Sequence, residues 1–492
     1  MSYLKLKSGT DVRGIASDLG GKEVELTDKA VYDISLSFVC YLVDVLNKPA
    51  EEMVIAVGHD SRISASRISN AVISALTDSG VSVLNCELAS TPAMFMTTVD
   101  LGADASVQIT ASHHPFDRNG LKFFTKKGGF DGSDVEAVLK LADDNTAYLP
   151  KEKGSVKTVD YMSQYAANLR KLICESVGKS ETELPLKNYH IVVDAGNGAG
   201  GFYATEVLEK LGADVSGSQF LEPDGMFPNH IPNPENKQAM ESICIAVKNN
   251  NADLGIIFDT DVDRAGCVGS DGNEINRNRL IALAALIASD GKENSTIVTD
   301  SVTSDGLKVF LEDKLNCKHY RYKRGYKNVI TKAVDLCENG VYAPLAIETS
   351  GHAALKENYF LDDGAYLVTR IVIELAKGLN IEEFLSDLEL PLEEKECRLN
   401  ITKDDFKEYG LNVISEFEEF CKGIDGLVIA DDNREGIRVS TSYGWFLLRL
   451  SVHDPVMPMN FESKKEGGIN EMIKLVTPFF KNYEYLDCTA LK

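Results

Sequence analysis

A serine with several basic neighbours is the first feature of this sequence that could carry chemistry. Ser112 follows the alternating run Ala105–Ile109, which predicts a half-buried strand that Pro115 interrupts. A serine hydroxyl is a poor nucleophile unless a base, a metal or a cation lies beside it. The basic side chains within ten residues are His113, His114, Arg118 and Lys122. We expect Ser112 on a turn at a sheet edge, where α/β proteins bind ligands; the alternative is an ordinary polar surface loop.

The second candidate is a run of alternating carboxylates after the apolar segment 254–257. Its members are Asp259, Asp261 and Asp263, and Arg264 follows them. Carboxylates at this spacing supply hard oxygen ligands for a divalent cation, and Mg²⁺ is the expected ion. A calcium loop of the EF-hand type does not fit, because Arg264 stands where that loop has Gly and Ser270 where it has Glu. A solvated acidic loop is the remaining alternative.

Two weaker polar motifs lie further along the chain. Residues 348–352, Glu-Thr-Ser-Gly-His, combine a carboxylate, hydroxyls and an imidazole around a flexible glycine, which suits the vicinal hydroxyls of a sugar. Residues 445–455 end an apolar strand in an arginine, a hydroxyl and a histidine, a set that fits a phosphate. The respective alternatives are an ordinary polar turn and a hairpin turn.

A repeated order of strand, turn, helix and strand positions these motifs. It occurs at 53–83 and returns at 190–215 and 296–322. The repeat predicts three similar α/β domains with mixed or parallel sheets. The last ~100 residues lack it and indicate a smaller α+β domain with an antiparallel sheet. The strands of that sheet are predicted at 427–430, 436–439 and 445–450.

Composition narrows the partners and the location. The 492 residues are 44% hydrophobic and 26% charged, as in ordinary globular proteins. Because the net charge is −24, neither nucleic acid nor an anionic membrane is an expected partner. The ten cysteines include no C-x-x-C pair, so we expect reduced thiols in a cytoplasmic protein. We expect neither a signal peptide nor a membrane span, because the N-terminus has no apolar core and no apolar run reaches ~18 residues.

The ordered set of motifs resembles the α-D-phosphohexomutase superfamily, specifically its phosphomannomutase/phosphoglucomutase group. Thr110–Pro115 is similar to the family's T-A-S-H-x-P serine loop, Asp259–Arg264 to its D-x-D-x-D-R metal loop and Glu348–His352 to its E-x-S-G-H sugar loop. The further segments that match shorter family elements are Ser8–Gly14, Gly58–Arg62, with the pattern G-x-D-x-R, and Pro223–Pro228 followed by Pro232–Pro234. The resemblance covers nearly the whole chain.

The resemblance implies an isomerase of four domains around one central cleft. The domains are expected at 1–155 with the serine loop, 156–269 with the metal loop, 270–390 with the sugar loop and 391–492 with a phosphate-binding loop. Phosphoserine 112 would pass its phosphate to a hexose 1-phosphate or 6-phosphate of mannose or glucose. The resulting hexose 1,6-bisphosphate, also the activator, would return its other phosphate to Ser112.

The resemblance also implies roles for individual residues. Mg²⁺ would be held by Asp259, Asp261, Asp263 and the Ser112 phosphate, and would neutralise charge during transfer. Lys122 resembles the family's general acid/base, helped by Arg13 and His113. The substrate-binding residues would be Arg264, Lys323, Arg324, Gly325, Tyr326, Glu348, Ser350, His352, Arg449, Ser451 and His453.

The predicted phosphate loop departs from the family pattern R-x-S-N-T-x-P. Arg449 and Ser451 are kept, while Val452 and His453 replace an amide and a hydroxyl. A histidine in that place would make phosphate binding depend on pH, because an imidazole with an ordinary pKa of ~6.5 is charged only below neutral pH.

Three other functions remain open at this point. A phosphoglucosamine mutase of the same superfamily would share every motif, and a non-catalytic sugar-phosphate binding protein would explain the altered loop. A dinucleotide-dependent oxidoreductase is suggested by Gly196–Gly201, which satisfies G-x-G-x-x-G after a strand and precedes Asp214. Asp194, just before that turn, would repel a pyrophosphate. The expected oligomeric state is a monomer or a homodimer.

Overall fold

The computed structural model describes residues 2–451 and 454–491. The chain divides into two compact units: Met1–Asn276 with Ser350–Phe384, and Arg277–Thr349 with Leu385–Lys492. No helix among the described residues is long and apolar enough to cross a membrane. The α-helices of the first unit are Asp28–Leu46, Ala65–Asp78, Thr91–Asp100, Gly132–Asp143, Tyr161–Val177, Lys237–Asn250 and Gly364–Ala376. Those of the second are Asn278–Ser289, Asp305–Val309, Tyr326–Glu338, Phe406–Lys422 and Gly468–Phe480, and Ile381–Leu385 crosses the division.

Capping residues explain where the long helices begin and end. Thr27 accepts a hydrogen bond from the Ala30 amide at the start of Asp28–Leu46, and Asn47 ends that helix in the left-handed conformation. Asp160 and Gly178 do the same for Tyr161–Val177.

The N-terminal part of the first unit is built on a mixed eight-stranded sheet. Its strands, in spatial order, are Lys7–Ser8, Asp11–Ile15, Arg118–Thr125, Ala105–Ile109, Val54–His59, Ser82–Leu88 and Val156–Thr158, with Gly128–Gly129 paired to Arg118–Thr125. Val54–His59 pairs in parallel with both Ser82–Leu88 and Ala105–Ile109. Ala105–Ile109 then pairs antiparallel with Arg118–Thr125. The predicted strand before Ser112 is therefore present with the predicted bounds. The prediction that it is half-buried is wrong, because all five of its residues are buried.

A second mixed sheet in the first unit carries the aspartate run. Its strands, in spatial order, are Glu274–Ile275, Ala265–Gly269, Leu254–Phe258 and Ile191–Asp194. Leu254–Phe258 is parallel to Ile191–Asp194 and antiparallel to Ala265–Gly269. Both central strands are fully buried. A short antiparallel hairpin, Ala353–Leu355 with Leu361–Asp362, also belongs to this unit.

The second unit contains a parallel α/β part and an antiparallel sheet. Thr296–Asp300 pairs in parallel with Lys318–Tyr322 and Leu345–Ile347. The antiparallel strands, in spatial order, are Val428–Ile429, Ile437–Ser440, Gly444–Leu448, Val456–Ser463, Glu393–Ile401 and Leu486–Asp487. Phe417, Phe446 and Phe461 are buried in the core between this sheet and its helices. The fold class predicted from the sequence, α/β domains with a smaller antiparallel C-terminal domain, is confirmed.

The second copy of the predicted repeat is less regular than the first. Its helix is a π-helical turn, Tyr203–Leu208, followed by the 3-10 turn Glu209–Leu211. Its last strand is reduced to two isolated bridges, His190 to Asp214 and Asp194 to Gln219. Side chains supplement the remaining backbone hydrogen bonds there: Asp214 accepts the Ser216 amide at 2.9 Å, and the Ser218 hydroxyl accepts the Val193 amide at 3.0 Å.

Candidate active site

Ser112 lies on a strained turn at the carboxyl end of Ala105–Ile109. Its φ is +51°, a left-handed conformation that costs a residue with a side chain about 1–3 kcal/mol. The Thr110 hydroxyl accepts the Ser112 amide at 2.9 Å. The Ser112 hydroxyl is buried, with 4% of the residue exposed, and it donates to Asp259 Oδ2 at 3.1 Å. The hydroxyl is therefore held against the aspartate run.

The aspartate run is a loop whose backbone carbonyls are fixed by neighbouring segments of the first unit. It follows Leu254–Phe258, and Val262 takes the left-handed conformation at φ +66°. Three amides donate to consecutive loop carbonyls: Ala199 to Thr260 at 2.8 Å, Thr91 to Asp261 at 2.8 Å and Gly364 to Val262 at 3.0 Å. Gly364 is required there, because a Cβ at this position would lie 2.7 Å from the Arg264 carbonyl carbon. The loop carbonyls are therefore held by amides of other segments of the first unit.

The three aspartates form a site that suits a divalent cation. One carboxylate oxygen from each of Asp259, Asp261 and Asp263 lies within 4.8 Å of the others, and all three residues are buried. Oδ1 of Asp261 and Oδ1 of Asp263 are buried and accept no hydrogen bond from any described residue. Burial and the charges of Asp263 and Asp261 raise the pKa of Asp259 well above its ordinary value. Crowded hard oxygens with free lone pairs fit Mg²⁺, which prefers such ligands.

Two cationic side chains partly offset the charge of the loop. Lys122 Nζ lies 2.5 Å from Asp263 Oδ2 and 3.3 Å from Asp261 Oδ2. Arg264 binds Asp259 Oδ2 through Nε at 3.2 Å and through Nη2 at 3.1 Å, and its Nη2 also donates to the Ser112 hydroxyl at 3.0 Å. Burial alone would raise the pKa of Asp263, but Lys122, His352 and Arg264 together hold it below the ordinary value.

The two predicted histidines of the first unit have opposite charge states. Desolvation and the Arg264 guanidinium lower the pKa of His113 to about 2, although part of the ring faces solvent. Its Nδ1 accepts from Arg264 Nη2 at 2.7 Å. Burial alone would lower the pKa of His352, but Asp362 and Asp263 raise it to about 9. His113 is therefore neutral and His352 is charged near neutral pH.

The structure places the remaining predicted residues of the first unit as follows. Arg13 pairs with Asp11 Oδ2 through Nη2 at 2.7 Å, and its charge contributes to the lowered pKa of His113. Ser350 is buried two positions before His352, and an isolated bridge joins His352 to Arg264. The predicted residues of the first unit that lie together are thus Ser112, His113, Lys122, Asp259, Asp261, Asp263, Arg264 and His352.

The predicted sugar-contacting turn lies in the second unit. The Gly325 amide donates to Glu348 Oε1 at 2.6 Å, and the Arg324 amide donates to Glu435 Oε2 at 3.1 Å. Lys323 is exposed, and Tyr326 begins the helix Tyr326–Glu338. Two carboxylates, the buried Glu348 and the half-buried Glu435, thus accept hydrogen bonds from backbone amides of this turn.

Arg449 and Ser451 follow the strand Gly444–Leu448 in the second unit. Arg449 is 8% exposed, its Nη2 lies 3.8 Å from Glu396, and its Nε makes no hydrogen bond to a described residue. Burial lowers the pKa of Arg449, and Glu435 opposes that effect. The Ser451 hydroxyl accepts the Asp454 amide at 3.2 Å. His453 and Val452 lie outside the described residues, so the role of His453 stays a prediction.

Sequence reasoning missed several buried residues that support these sites. The Thr91 hydroxyl donates to Asp261 Oδ2 at 2.5 Å. In the second unit, Asp300 is fully buried, accepts the Thr349 hydroxyl at 2.7 Å and lies 4.0 Å from Arg324 Nε. Thr91 and Asp261 are separated by 170 positions, so no local pattern could pair them. The available signal was a polar residue at the end of a strand, as with Asp300, the last residue of Thr296–Asp300.

Three domain models from one family match successive parts of the chain. Models of the α/β/α domains I, II and III of phosphoglucomutase/phosphomannomutase match residues 6–148, 163–272 and 276–389. A phosphomannomutase/phosphoglucomutase of Pseudomonas aeruginosa is 30% identical over 431 residues, which cover 86% of each chain. The chain belongs to the phosphoglucomutase/phosphomannomutase family.

Two further relatives agree with membership of this family. A phosphoglucomutase of Neisseria gonorrhoeae is 29% identical over 468 residues, 94% of each chain. The crystal structure of a phosphoglucomutase/phosphomannomutase family protein from Burkholderia thailandensis has a TM-score of 0.79 at 24% identity and covers 98% of each chain, which supports the fold. The predicted family and enzyme class, an isomerase that transfers phosphoryl groups, are confirmed.

The glycine-rich turn of this phosphoglucomutase/phosphomannomutase family member is structural. The Gly196 amide donates to Asp194 Oδ1 at 2.8 Å. The next three amides, those of Asn197, Gly198 and Ala199, donate to the carbonyls of Phe220, Ala195 and Thr260. A pyrophosphate would need these amides free. The turn therefore supports the aspartate loop through the Ala199 amide, and the dinucleotide alternative has no site at these amides.

Proposed function

We propose that this protein interconverts hexose 1-phosphate and hexose 6-phosphate, of mannose or glucose, through a phosphoserine at Ser112 and a hexose 1,6-bisphosphate. One observation carries the proposal: the buried Ser112 hydroxyl donates to Asp259 and accepts from Arg264 beside three crowded aspartates. A hydroxyl between a carboxylate and a guanidinium can form an ester and release it with little movement of its surroundings.

Asp259, Asp261 and Asp263 would hold Mg²⁺ together with the Ser112 phosphate. When bound, the ion supplies charge neutralisation for the phosphoryl group. Arg264 would bind the same phosphoryl oxygens, because its Nη2 already lies 3.0 Å from the Ser112 hydroxyl. Burial of this set excludes water, which would otherwise hydrolyse the phosphoserine.

Lys122 would move the proton of the attacking sugar hydroxyl. Its Nζ lies against Asp261 and Asp263, and a positioned amine of this kind can act as general base and then as general acid. His113, neutral and bound at Nδ1 by Arg264, would orient Arg264 and would not donate a proton from that atom. Arg13 would add positive charge beside the site.

In the second unit, the buried carboxylate of Glu348 and the turn 323–326 would bind sugar hydroxyls, and Arg449 with Ser451 would bind the non-reacting phosphate. In the first unit, Ser350 and His352 would contact the substrate. We further propose four domains with the boundaries given above and a cytoplasmic location. The activator would be hexose 1,6-bisphosphate, and the protein would be a monomer or a homodimer.

Intact-mass spectrometry of freshly purified active protein tests the phosphoserine. We expect a species heavier by one phosphate that maps to Ser112 and disappears in Ser112→Ala. Ser106→Ala is the matched control. Ser106 is buried in the strand Ala105–Ile109, which precedes Ser112, and its Oγ has no hydrogen-bond partner among the described residues. That variant should keep both the phosphate and the activity. Full turnover by protein without phosphate at Ser112, in the presence of hexose 1,6-bisphosphate, would overturn the mechanism.

A panel of the 1-phosphates of glucose, mannose and glucosamine tests the substrate class. We expect kcat/KM to be highest with glucose or mannose. A preference for glucosamine 1-phosphate would overturn the hexose assignment but leave the phosphoserine intact.

A further inference from the structure

Two segments that match family elements, Gly58–Arg62 and Pro223–Pro228, have no role in the chemistry above. In the structure, Gly58–Arg62 contacts residues 110–118, here called the serine turn, and Pro223–Pro228 contacts Arg62, all within the first unit. Arg62 is 2% exposed, and its guanidinium donates to backbone carbonyls of the segment after Thr110. The acceptors are the carbonyls of His114 at 2.8 Å, Pro115 at 2.8 Å, Arg118 at 2.9 Å and, in a short contact, Ser112. The buried Arg62 guanidinium therefore donates hydrogen bonds to four backbone carbonyls of the serine turn.

Asp60 links this cation to the start of the turn. The carboxylate is fully buried; its Oδ2 accepts Arg62 Nε at 3.1 Å and the Thr110 hydroxyl at 2.7 Å. The same Thr110 hydroxyl accepts the Ser112 amide. Ser112 is thus held from its amide side through Thr110 and from its carbonyl side through Arg62.

The Pro223–Pro228 loop packs against Arg62 and its chain neighbours Ser61 and Ile63. A Cβ at Gly225 would lie 2.3 Å from the Ile63 amide nitrogen and 2.5 Å from the Ser61 carbonyl oxygen, so only glycine allows the approach. The ring of Phe227 lies 5.3 Å from the Arg62 guanidinium carbon. The loop leaves Arg62 little room to change its rotamer.

We propose that Arg62 is a positioning residue for Ser112 and that the Pro223–Pro228 loop is the clamp that keeps it in place. Among the described residues, Arg62 donates no hydrogen bond to the Ser112 hydroxyl or to Asp259, Asp261 or Asp263. It acts through the turn: four carbonyls bound to one planar cation fix the left-handed conformation that directs the Ser112 hydroxyl at Asp259 and Arg264. The inference rests on the proposed function only for its effect on turnover; the effect on the turn is independent of it.

Arg62→Lys is the variant that tests the proposal, because an ammonium keeps the charge and lacks the fork that reaches four carbonyls. Arg67→Lys is the matched control. Arg67 also donates to backbone carbonyls, those of Ala16 at 2.7 Å and Leu26 at 3.0 Å, but these lie outside the serine turn.

Hydrogen exchange of the amides 112–119 gives the readout that does not depend on activity. We expect Arg62→Lys to raise their exchange rates more than tenfold while strand amides of 54–58 stay protected, and Arg67→Lys to leave both unchanged. Phosphoryl transfer from a hexose 1,6-bisphosphate to dephosphorylated Ser112, followed by mass spectrometry, should slow by about 100-fold, the usual effect of a misplacement near 1 Å. The fall should appear in kcat with KM changed by less than threefold, and Mg²⁺ affinity in calorimetry should stay native.

Unchanged exchange at 112–119 in Arg62→Lys would overturn the proposal, as would native transfer with raised exchange. If Arg62→Lys does not fold, Phe227→Leu replaces it: a smaller rise in exchange at 112–119 supports the clamp, and none overturns it. A third result would separate the two proposals: exchange at 112–119 rises in Arg62→Lys, but the native protein never accepts phosphate at Ser112. That result would support the clamp and contradict the proposed phosphoserine mechanism.

Discussion

In the first unit, Asp259 Oδ2 accepts hydrogen bonds from Ser112 and Arg264, whereas in the second unit the buried Nε of Arg449 has no hydrogen-bond partner among the described residues. Burying an unpaired polar group costs about 1–3 kcal/mol. The cluster of Ser112, Arg264, Asp259, Asp261 and Asp263 pairs most of its polar atoms within itself. Three atoms of its loop make no hydrogen bond to a described residue: Oδ1 of Asp261 and Oδ1 of Asp263, which suit a cation, and Oγ1 of Thr260. The Arg449 segment leaves a donor for a ligand to complete.

The difference teaches how the two sites should respond to mutation. In a preassembled cluster each residue supports several others, so single changes should affect chemistry and metal affinity together. In the Arg449 segment the protein supplies one charged donor with few supports. Changes there should affect substrate affinity alone.

The largest effect is expected at the metal loop. Asp261→Asn keeps the shape of the side chain and removes its charge, so Mg²⁺ affinity in calorimetry should fall by more than about 100-fold, beyond the effect of an outer-shell partner. Activity should fall with it. Asp253→Asn is the control, because Asp253 is an exposed aspartate just before Leu254–Phe258, the strand that leads into the loop. Native Mg²⁺ affinity in Asp261→Asn would show that the aspartates do not form a metal site.

Lys122→Ala tests whether chemistry can be separated from the ion in the same cluster. We expect kcat to fall by about 10²–10⁴-fold, as for a positioned proton-transfer group. Mg²⁺ should still bind, because the carboxylates remain. Lys126→Ala removes an exposed lysine from the same segment and should be neutral. Near-native kcat in Lys122→Ala would remove Lys122 from the reaction.

Arg449→Ala addresses the other side of the comparison. A hydrogen bond to a charged group contributes about 1.5–3 kcal/mol, so KM should rise about 10- to 150-fold. The rise should be similar for hexose 1-phosphate and 6-phosphate, with kcat changed little. Arg398→Ala is the control, because Arg398 is exposed and also pairs with Glu396, at 3.1 Å. A change confined to kcat would contradict a pure binding role.

The smallest effect is expected at Thr91, an outer-shell support of the cluster. Thr91→Val removes the hydroxyl that donates to Asp261 and keeps the side-chain shape. Mg²⁺ affinity should fall by about 10- to 100-fold. Thr97→Val serves for comparison, since among the described residues the Thr97 hydroxyl bonds only to the Met94 carbonyl, within the same helix. Equal affinities in the two variants would show that Asp261 does not depend on Thr91.

Local patterns predicted the strands that precede Ser112 and Asp259, because alternation and turn residues are properties of neighbouring positions. Local patterns also predicted that Asp259, Asp261 and Asp263 bring their carboxylates together. They could not predict the left-handed conformation of Val262, which depends on amides donated by segments distant in sequence. Nor could they predict the buried Asp60–Arg62 pair, whose partners in the turn lie about 50 positions away. Long-range polar contacts leave no periodic trace in a sequence.

Because Ser112 donates its hydroxyl proton to Asp259, an ester at the same oxygen would leave that carboxylate without this donor. The lone pair of Asp259 Oδ2 that is freed in this way would be available to a cation. Esterification of the serine and retention of the ion should therefore be thermodynamically linked, each raising the equilibrium constant of the other by the same factor. The hydroxyl and the ester forms of the protein would then differ in how readily a chelator strips the metal from them.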